Sequence, residues 1–305
     1  MDRPVPQIIH VGAVNDRSGI MRKMANPTTR RQGSMALALA FALLMACLAG
    51  CAANGQSPSG SSQSPSQSTG AEEVVGIIGA MDAEVDSLKS AAGANGTTTI
   101  AGMEFFEGGL GGKRVVIVKC GMGKVNAGIC AHTLINHFGC TKVINTGVAG
   151  SLDDRINIGD IVVSTDAVQH DFDVEAIGFA KGEIPYTGLY AFPADDGLRA
   201  AAVSAAHEAA PSIQVFEGRV CSGDQFITTK EQKDTITSSF GGLCCEMEGA
   251  AIAQACHLND VPFVVIRAIS DKPSETEIVD YKEFEPQAAK LCAGIVEHMV
   301  EQHAT

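Results

Sequence analysis

The chain has 305 residues, of which 45% are hydrophobic and 5% aromatic, and this composition is sufficient for a folded domain with a sizeable core. Its formal net charge is −13, from 22 Lys or Arg against 35 Asp or Glu. Because so acidic a surface disfavours nucleic acid and anionic lipid as partners, the sequence predicts a neutral or cationic small-molecule substrate.

Residues 1–51 form an N-terminal extension that ends in a lipoprotein-type signal peptide. Arg30 and Arg31 precede an apolar run at residues 35–51, which closes on Leu-Ala-Gly-Cys. A basic segment, a short apolar segment and small residues at the end are typical of a signal peptide, and a membrane-spanning helix needs about 20 apolar residues. The pattern predicts an exported lipoprotein in which Cys51 carries the lipid and the membrane is contacted only through this anchor. The alternative is a cytoplasmic protein, if translation starts later.

Residues 52–72 are rich in Ser, Gly, Gln and Pro, which predicts a flexible tether. Residues 73–305 have the composition of a globular chain without a second low-complexity break, and one domain of this size is ordinary for an α/β fold. Six of the basic and two of the acidic residues lie in residues 1–50, and none lies in residues 51–70. Residues 71–305 therefore contain 16 basic and 33 acidic residues, a net charge of −17.

The globular part contains eight cysteines that lie singly within apolar segments. No pair has the Cys-x-x-Cys spacing of a metal or redox site, so the sequence predicts small buried side chains, although export would permit disulfides. They are Cys120, Cys130, Cys140, Cys221, Cys244, Cys245, Cys256 and Cys292.

The globular part opens with a strand followed by a helix. Residues 74–78 are continuously apolar, and the amphipathic segment 82–88 begins after Gly79-Ala80-Met81. Glu84 falls in the first turn of this helix, at the carboxyl end of the strand, where α/β sheets bind their ligands. The helix dipole alone would also explain an acidic residue there, so a structural role for Glu84 stays open at this point.

A hairpin is predicted next, from residues 103–107 and 114–119 across a glycine-rich turn. Gly121-Met122-Gly123-Lys124 then opens a helix. This segment lacks the third glycine of a dinucleotide fingerprint and the Ser or Thr of a P-loop, but its glycines allow the backbone to approach a ligand closely. A further strand covers residues 142–150.

The central part of the chain contains a weak metal-like pattern. His170, Asp171 and Asp173 lie within four residues, but no second histidine follows at ligand spacing, so the sequence predicts no metal site. A helix from Leu198 to Ala209 and a strand with a turn at residues 220–227 follow.

Two acidic residues flank a methionine at the start of an apolar, small-residue helix. Glu246 and Glu248 stand on either side of Met247, and the helix begins at Gly249. In an extended backbone the two carboxylates point the same way, so they would face one space. Capping of the helix is an alternative explanation for at least one of them.

The last strongly apolar strand, residues 261–271, ends in Ser270-Asp271 and contains the single cation Arg267. A buried arginine is rare unless it is paired. The chain closes with a predicted helix from Phe284 to about Val300. Asp271 therefore joins Glu84 and Glu248 at element ends that an α/β sheet brings together.

Carboxylates without a metal or a nucleophile favour hydrolysis of a glycosidic bond. One activates water and another protonates the leaving group, while an oxocarbenium-like centre forms between them. The sequence contains neither Gly-x-Ser-x-Gly nor His-Glu-x-x-His.

The sequence resembles the 5′-methylthioadenosine/S-adenosylhomocysteine nucleosidases of the nucleoside phosphorylase superfamily. Six segments carry the resemblance in the family's order, from Val74 to the C-terminus. The resemblance implies an α/β single domain with a mixed central sheet flanked by helices, a homodimer, no metal or organic cofactor, and release of adenine from either nucleoside. The segments are Gly76–Met81, Gly121–Val125, Asn145–Gly147, Ser222–Asp224, Glu246–Glu248 and Arg267–Asp271.

The resemblance also implies roles for individual residues. Glu84 would hold and activate the attacking water, Asp271 would protonate adenine at N7, and Glu248 would bind the ribose hydroxyls. The other residues implied to contact or order the substrate and the water are Met247 and Glu246 beside the ribose, Arg267 near the water, Phe226 and Ile227 at adenine, Met81 and Met122 on the sugar side, and Tyr281 near the 5′-thio group.

One departure separates this sequence from the common family pattern. Val148 follows Asn145-Thr146-Gly147, where the family commonly has Ser or Thr, so a hydroxyl near the water is missing. Phosphorolytic relatives tend to have Arg and Ser at the positions of Asn145 and Val148 to bind phosphate, which favours hydrolysis here. A purine or uridine phosphorylase and a non-catalytic nucleoside-binding lipoprotein are the two alternatives.

Overall fold

A computed structural model of the protein describes residues 73–93, 95–272 and 277–303. The predicted signal peptide, its lipidation residue Cys51 and the predicted tether all lie outside these ranges. The described residues all belong to one compact unit. None of the helices in the described part has the length and apolarity needed to cross a bilayer.

Ten strands of the described part form one mixed sheet. Strand β1 pairs in parallel with β4 and β5, whereas the edge strands β2 and β3 are antiparallel. Strand β5 pairs with β9 and β10, and β6 and β8 complete a closed ring with them. The strands are β1 (Val74–Gly79), β2 (Gly96–Ile100), β3 (Met103–Leu110), β4 (Lys113–Lys119), β5 (Lys142–Ser151), β6 (Ile161–Gln169), β7 (Phe192–Pro193), β8 (Val215–Ser222), β9 (Cys244–Glu246) and β10 (Phe263–Asp271).

Six described helices cover the two faces of the sheet or close its end. Helices α1, α3 and α6 share one apolar cluster with the sheet, α2 and α5 share the other, and α4 contributes to a smaller third cluster. This arrangement confirms the predicted α/β single domain with a mixed central sheet. The helices are α1 (Asp82–Ala92), α2 (Lys124–Asn136), α3 (Asp196–Ala209), α4 (Lys230–Phe240), α5 (Gly249–His257) and α6 (Glu277–Gln302).

The apolar runs of the sequence become the buried strands. All six residues of β1 and all nine residues of β10 are buried, because helices cover both faces of these central strands. The eight cysteines of the domain are buried and free, as predicted for small apolar side chains.

Two element boundaries differ from the predictions. Strand β3 extends to Leu110 and β4 begins at Lys113, so the turn consists of Gly111 and Gly112 rather than the longer segment between the predicted strands. Both glycines have positive φ values, 54° and 78°, which a tight turn requires and which glycine adopts at little cost. Helix α6 begins at Glu277, before the predicted Phe284, and continues through Pro286.

Candidate active site

A pocket of about 570 Å³, measured to its open mouth, lies where several strands end. Residues after β1, at the ends of β5, β9 and β10, and after β8 line it, and α6 contributes Tyr281. Its size is within the range of small-molecule sites. The lining includes eleven of the twelve residues predicted to contact the substrate or catalyse the reaction, namely Glu84, Asp271, Glu248, Met247, Glu246, Phe226, Ile227, Met81, Met122, Tyr281 and Val148.

Glu84 is buried at the start of α1, with its carboxylate turned back toward the end of β1. Its Oε2 accepts hydrogen bonds from the backbone N–H groups of Ala80, at 2.6 Å, and Met81, at 2.9 Å. Its Oε1 accepts one from the N–H of Val148 at 3.2 Å. Burial raises the pKa of Glu84, while nearby Arg267 and these N–H groups oppose the rise. The side chain therefore caps the helix and is at the same time fixed in the pocket wall.

Two glycines of β5 provide the space for two of the acids. A Cβ on Gly147 would lie 2.7 Å from Oε1 of Glu84, and a Cβ on Gly150 would lie 2.7 Å from Oδ2 of Asp271. Separations below 3.0 Å require something to move, so at these two positions β5 can approach the carboxylates only without a side chain.

Glu246 and Arg267 form a buried ion pair behind the pocket. The Oε2 atom of Glu246 accepts from Nη2 of Arg267 and, at 2.8 Å, from the N–H of Gly249. Its Oε1 accepts from the hydroxyl of Ser222, which in turn accepts from the N–H of Ala250 at 2.7 Å. Glu246 thus holds the N-terminus of α5, the capping role that the sequence left open for one of the two glutamates.

Arg267 does not belong to the pocket lining, unlike the other predicted site residues. It is 1% exposed, and Nη2 also donates to Oδ1 of Asn145 at 2.6 Å. Burial alone would lower the pKa of Arg267, but the carboxylates of Glu246, Glu248 and Glu84 outweigh it and raise the pKa. Its positive charge therefore acts on the pocket through these carboxylates.

Glu248 is the residue immediately before α5, and its carboxylate reaches the loop that precedes α2. Its Oε1 accepts from the N–H of Gly123 at 2.8 Å, and its Oε2 lies 4.0 Å from Nη2 of Arg267. Burial and the carboxylate of Glu246 raise the pKa of Glu248 to about 7, against the opposing charge of Arg267. The glycine-rich loop, in which the sequence contained no nucleotide fingerprint, thus fixes a site acid through its backbone.

Asp271 ends β10 and is 3% exposed. Its Oδ1 accepts a hydrogen bond from the Ser270 hydroxyl at 3.0 Å, and its Oδ2 lies 3.4 Å from Nζ of Lys233. Lys233 was not predicted. It precedes Ile236 by three residues and Phe240 by seven, and all three lie on the buried side of α4. A lysine at helical spacing from two apolar residues is the sequence pattern that could have indicated its burial.

Apolar side chains form the mouth of the pocket. Met122 and Phe226 are 61% and 48% exposed, although both line it. The rings of Phe226 and Tyr281 meet edge to face with centroids 5.1 Å apart, and the Tyr281 hydroxyl lies 3.5 Å from Sδ of Met81. Burial and the carboxylates of Glu285, Glu84, Asp271 and Glu248 raise the pKa of Tyr281 to about 12. A neutral phenol and exposed apolar surface suit a flat, uncharged ligand.

One group in the described part of the chain has donor atoms close enough for a metal ion, and it lies outside this pocket. Glu208, His298 and His303 place their ligand atoms within 4.8 Å of one another. His298 is 17 residues beyond Tyr281 on α6, about 25 Å along the helix. In the metal-like pattern at His170, Asp171 forms an ion pair with Lys124 and accepts a hydrogen bond from the N–H of Asp224 at 2.8 Å.

Comparisons with known proteins agree with this fold. The model of the phosphorylase superfamily matches residues 74–301. A 5′-methylthioadenosine/S-adenosylhomocysteine nucleosidase from Psychromonas ingrahamii is 41% identical over 227 residues, which cover 74% of this chain and 97% of that protein. The chain belongs to this nucleosidase family. The family assignment covers every residue of the pocket.

Solved structures of the superfamily have the same fold. A nucleosidase of the family from Colwellia psychrerythraea, solved with adenine, has a TM-score of 0.73 and 38% identity, and the match covers 76% of this chain and 96% of that one. Futalosine hydrolase from Helicobacter pylori has a TM-score of 0.72 and 32% identity, with 75% of this chain and 98% of that one covered. The same fold therefore occurs in enzymes that are named for different nucleosides.

Proposed function

We propose that this protein hydrolyses the N-glycosidic bond of 5′-methylthioadenosine, S-adenosylhomocysteine or both, and releases adenine. The family membership and one geometric observation carry the proposal: three buried carboxylates, from Glu84, Glu248 and Asp271, line one largely apolar pocket in addition to Glu246, which is paired with Arg267. A glycosidic bond needs an acid, a base and stabilisation of positive charge on the sugar, and this set provides all three.

In the proposed reaction Asp271 donates a proton to N7 of adenine, and the electron pair of the C1′–N9 bond leaves with the base. Water then adds to the oxocarbenium-like C1′, and Glu84 accepts a proton from it. A pKa raised above the usual value makes Glu84 a stronger base than an exposed carboxylate. Its three N–H bonds and Arg267 keep it in the ionised form that this step requires.

Glu248 binds the ribose hydroxyls and stabilises the positive charge that builds on the sugar, while Met247 packs against the ribose. Phe226 stacks on adenine, whose edge is read by the backbone of Ile227, and the half-exposed ring of Phe226 supports this role. The sugar and its 5′-thio substituent are contacted by Met81, Met122 and Tyr281, which line the same pocket.

Hydrolysis is favoured over phosphorolysis because Asn145 is not available to an anion. Asn145 is 1% exposed, donates through Nδ2 to the carbonyl oxygen of Ile78 at 3.0 Å, and accepts from Arg267. Val148, three residues further along β5, offers only its backbone N–H, which is already bonded to Glu84. Neither side chain offers a phosphate a charged donor, and Arg267, which contacts Asn145, is already paired with Glu246.

We also propose that the protein is exported as a lipoprotein anchored through Cys51, with residues 52–72 as its tether, and that it is a homodimer. The apolar side chains of Met122, Val125 and Ile129 support the dimer. They are 61%, 71% and 44% exposed and recur at helical spacing on one face at the start of α2, next to the pocket mouth.

Incubation of residues 71–305 with 5′-methylthioadenosine, S-adenosylhomocysteine or futalosine, with and without phosphate, tests the activity. We expect phosphate-independent release of adenine from one or both of the first two nucleosides. Release that requires phosphate would indicate a phosphorylase, and tight binding without release would indicate a binding protein. Hydrolysis of futalosine alone would contradict the proposed substrate.

A further inference from the structure

A lysine is buried next to the proposed acid of the reaction. Lys233 is 1% exposed and lies on the side of α4 that also buries Ile236 and Phe240. A lysine is almost never fully buried unless its charge is compensated. Its Nζ lies 3.4 Å from Oδ2 of Asp271, and both side chains are at most 5% exposed. The pair therefore lies inside the protein, out of reach of screening by solvent.

Lys233 does not belong to the pocket lining, whereas Asp271 does. The ammonium group therefore approaches Asp271 from behind, and the other carboxylate oxygen, Oδ1, is bonded to the Ser270 hydroxyl. Lys233 has no direct contact with a substrate in the pocket, so any effect on the reaction passes through Asp271.

In the described part of the chain, three other elements contribute titratable groups to the pocket that Asp271 lines. Glu84 of α1, Glu248 before α5 and Tyr281 of α6 line the same pocket. Like charges that share one pocket disfavour one another, so these two carboxylates favour the neutral form of a further acid there. Tyr281 is neutral near pH 7, as an ordinary phenol is, and its pKa is raised further, to about 12. The charge on Lys233 opposes the two glutamates.

We propose that Lys233 is a positioning residue that sets the pH at which Asp271 carries its proton. The inference rests on the proposed function, in which Asp271 is the acid. An opposite charge at this distance shifts a carboxyl pKa downward by about one to three units. Lys233 thus favours the ionised form of Asp271 against the two glutamates, and it holds the Oδ2 edge of the carboxylate in a fixed orientation.

The pH dependence of adenine release tests this role in the full chain. Activity that needs protonated Asp271 falls as the pH rises through its pKa, so removal of the ammonium group must move this alkaline limb of kcat/KM upward. We expect Lys233→Met and Lys233→Gln to shift the limb by about one to three pH units. Lys233→Arg, which keeps the charge, is expected to stay near the wild-type limb.

Lys230→Met is the matched control, because Lys230 is on the same helix but pairs with Asp234 at the surface. It is expected to leave the profile unchanged. An unchanged limb in both neutral variants would overturn the proposal. If these variants do not fold at pH 8, we expect them to fold at pH 5, where Asp271 is protonated and needs no counter-ion; failure at both pH values would show that Lys233 serves packing instead.

A failure of the proposed function gives a different result. If the wild-type protein releases no adenine, titration of the ¹³C-labelled Asp271 carboxyl by NMR still measures the effect of Lys233. A higher carboxyl pKa in Lys233→Met than in the wild type is the expected result, and equal pKa values would overturn the pairing.

Discussion

The carboxylates of the pocket have different tasks although they are of one chemical type. Both carboxylate oxygens of Glu246 accept hydrogen bonds, from Arg267, Ser222 and the start of α5. Glu248 accepts one from Gly123 through Oε1, and its Oε2 lies 4.0 Å from Arg267. The first side chain stabilises structure, and the second is available to a ligand. Two glutamates separated by one residue are thus distinguished by their partners alone.

At the residue scale, we expect Asp271→Asn and Glu248→Gln to lose most of the turnover, by about 10²- to 10⁴-fold for the loss of the proton donor. The amides keep the shape of the side chains but carry neither a transferable proton nor a full charge. Release of adenine at saturating 5′-methylthioadenosine measures the effect. Rates near the wild-type value in either variant would show that the roles are assigned to the wrong residues.

Glu248→Gln should also change the pH dependence of stability. The folded-state pKa of about 7 exceeds the usual 4.5, so folding favours the protonated form. This contribution is present below about pH 4.5 and is lost as the pH rises to about 7. We expect the variant to be about 1–3 kcal/mol more stable than the wild type at pH 8, and equal to it at pH 4, by urea unfolding. Equal stability at pH 8 would contradict the raised pKa.

At the scale of elements, the close approach of β5 to the acids depends on glycine. In Gly147→Ala the new methyl group, 2.7 Å from Oε1 of Glu84, must displace that carboxylate. We expect a loss of turnover of at least about tenfold with the fold retained, since a small misplacement of a catalytic group is costly. Gly294→Ala, in an open helical position, is the control and should leave the rate unchanged. A normal rate in Gly147→Ala would show that Glu84 need not be held there.

The attachment of α5 to β10 depends on the ion pair between Glu246 and Arg267. Glu246→Ala leaves a buried arginine without this partner and frees the N–H groups at the start of α5. We expect it to lower the free energy of unfolding by about 3–5 kcal/mol. Asp234→Ala, which breaks the exposed pair with Lys230, should cost far less, because solvent screens that pair. Similar losses in the two variants, measured by urea unfolding, would contradict this assignment.

At the scale of the whole molecule, the proposed homodimer predicts that the exposed face of α2 is covered in solution. We expect the double variant Val125→Glu and Ile129→Glu to be a monomer by analytical ultracentrifugation, because two buried carboxylates would lack partners. Its adenine release should also fall, since Met122 lies between this face and the pocket. Gly294→Glu, on the opposite helix layer, should remain a dimer. A dimeric double variant would place the interface elsewhere.

The sequence alone determined the fold class and most of the pocket. Continuous apolar runs predicted β1 and β10, because buried strands need no polar side. The positions of Glu84 and Asp271 at strand ends, together with the ordered segments of the family resemblance, predicted the acids of the site. These are local patterns, which the chain carries without reference to its folded form.

Tertiary structure decided what those side chains touch. The sequence did not show that Glu246 forms an ion pair with Arg267, that the backbone N–H of Gly123 binds Glu248, or that Lys233 contacts Asp271. Each of these contacts joins residues that are 21 to 125 positions apart. Burial then fixes the charge of each acid, because a pKa depends on the charges and donors around a group, and the fold brings these together from separate elements.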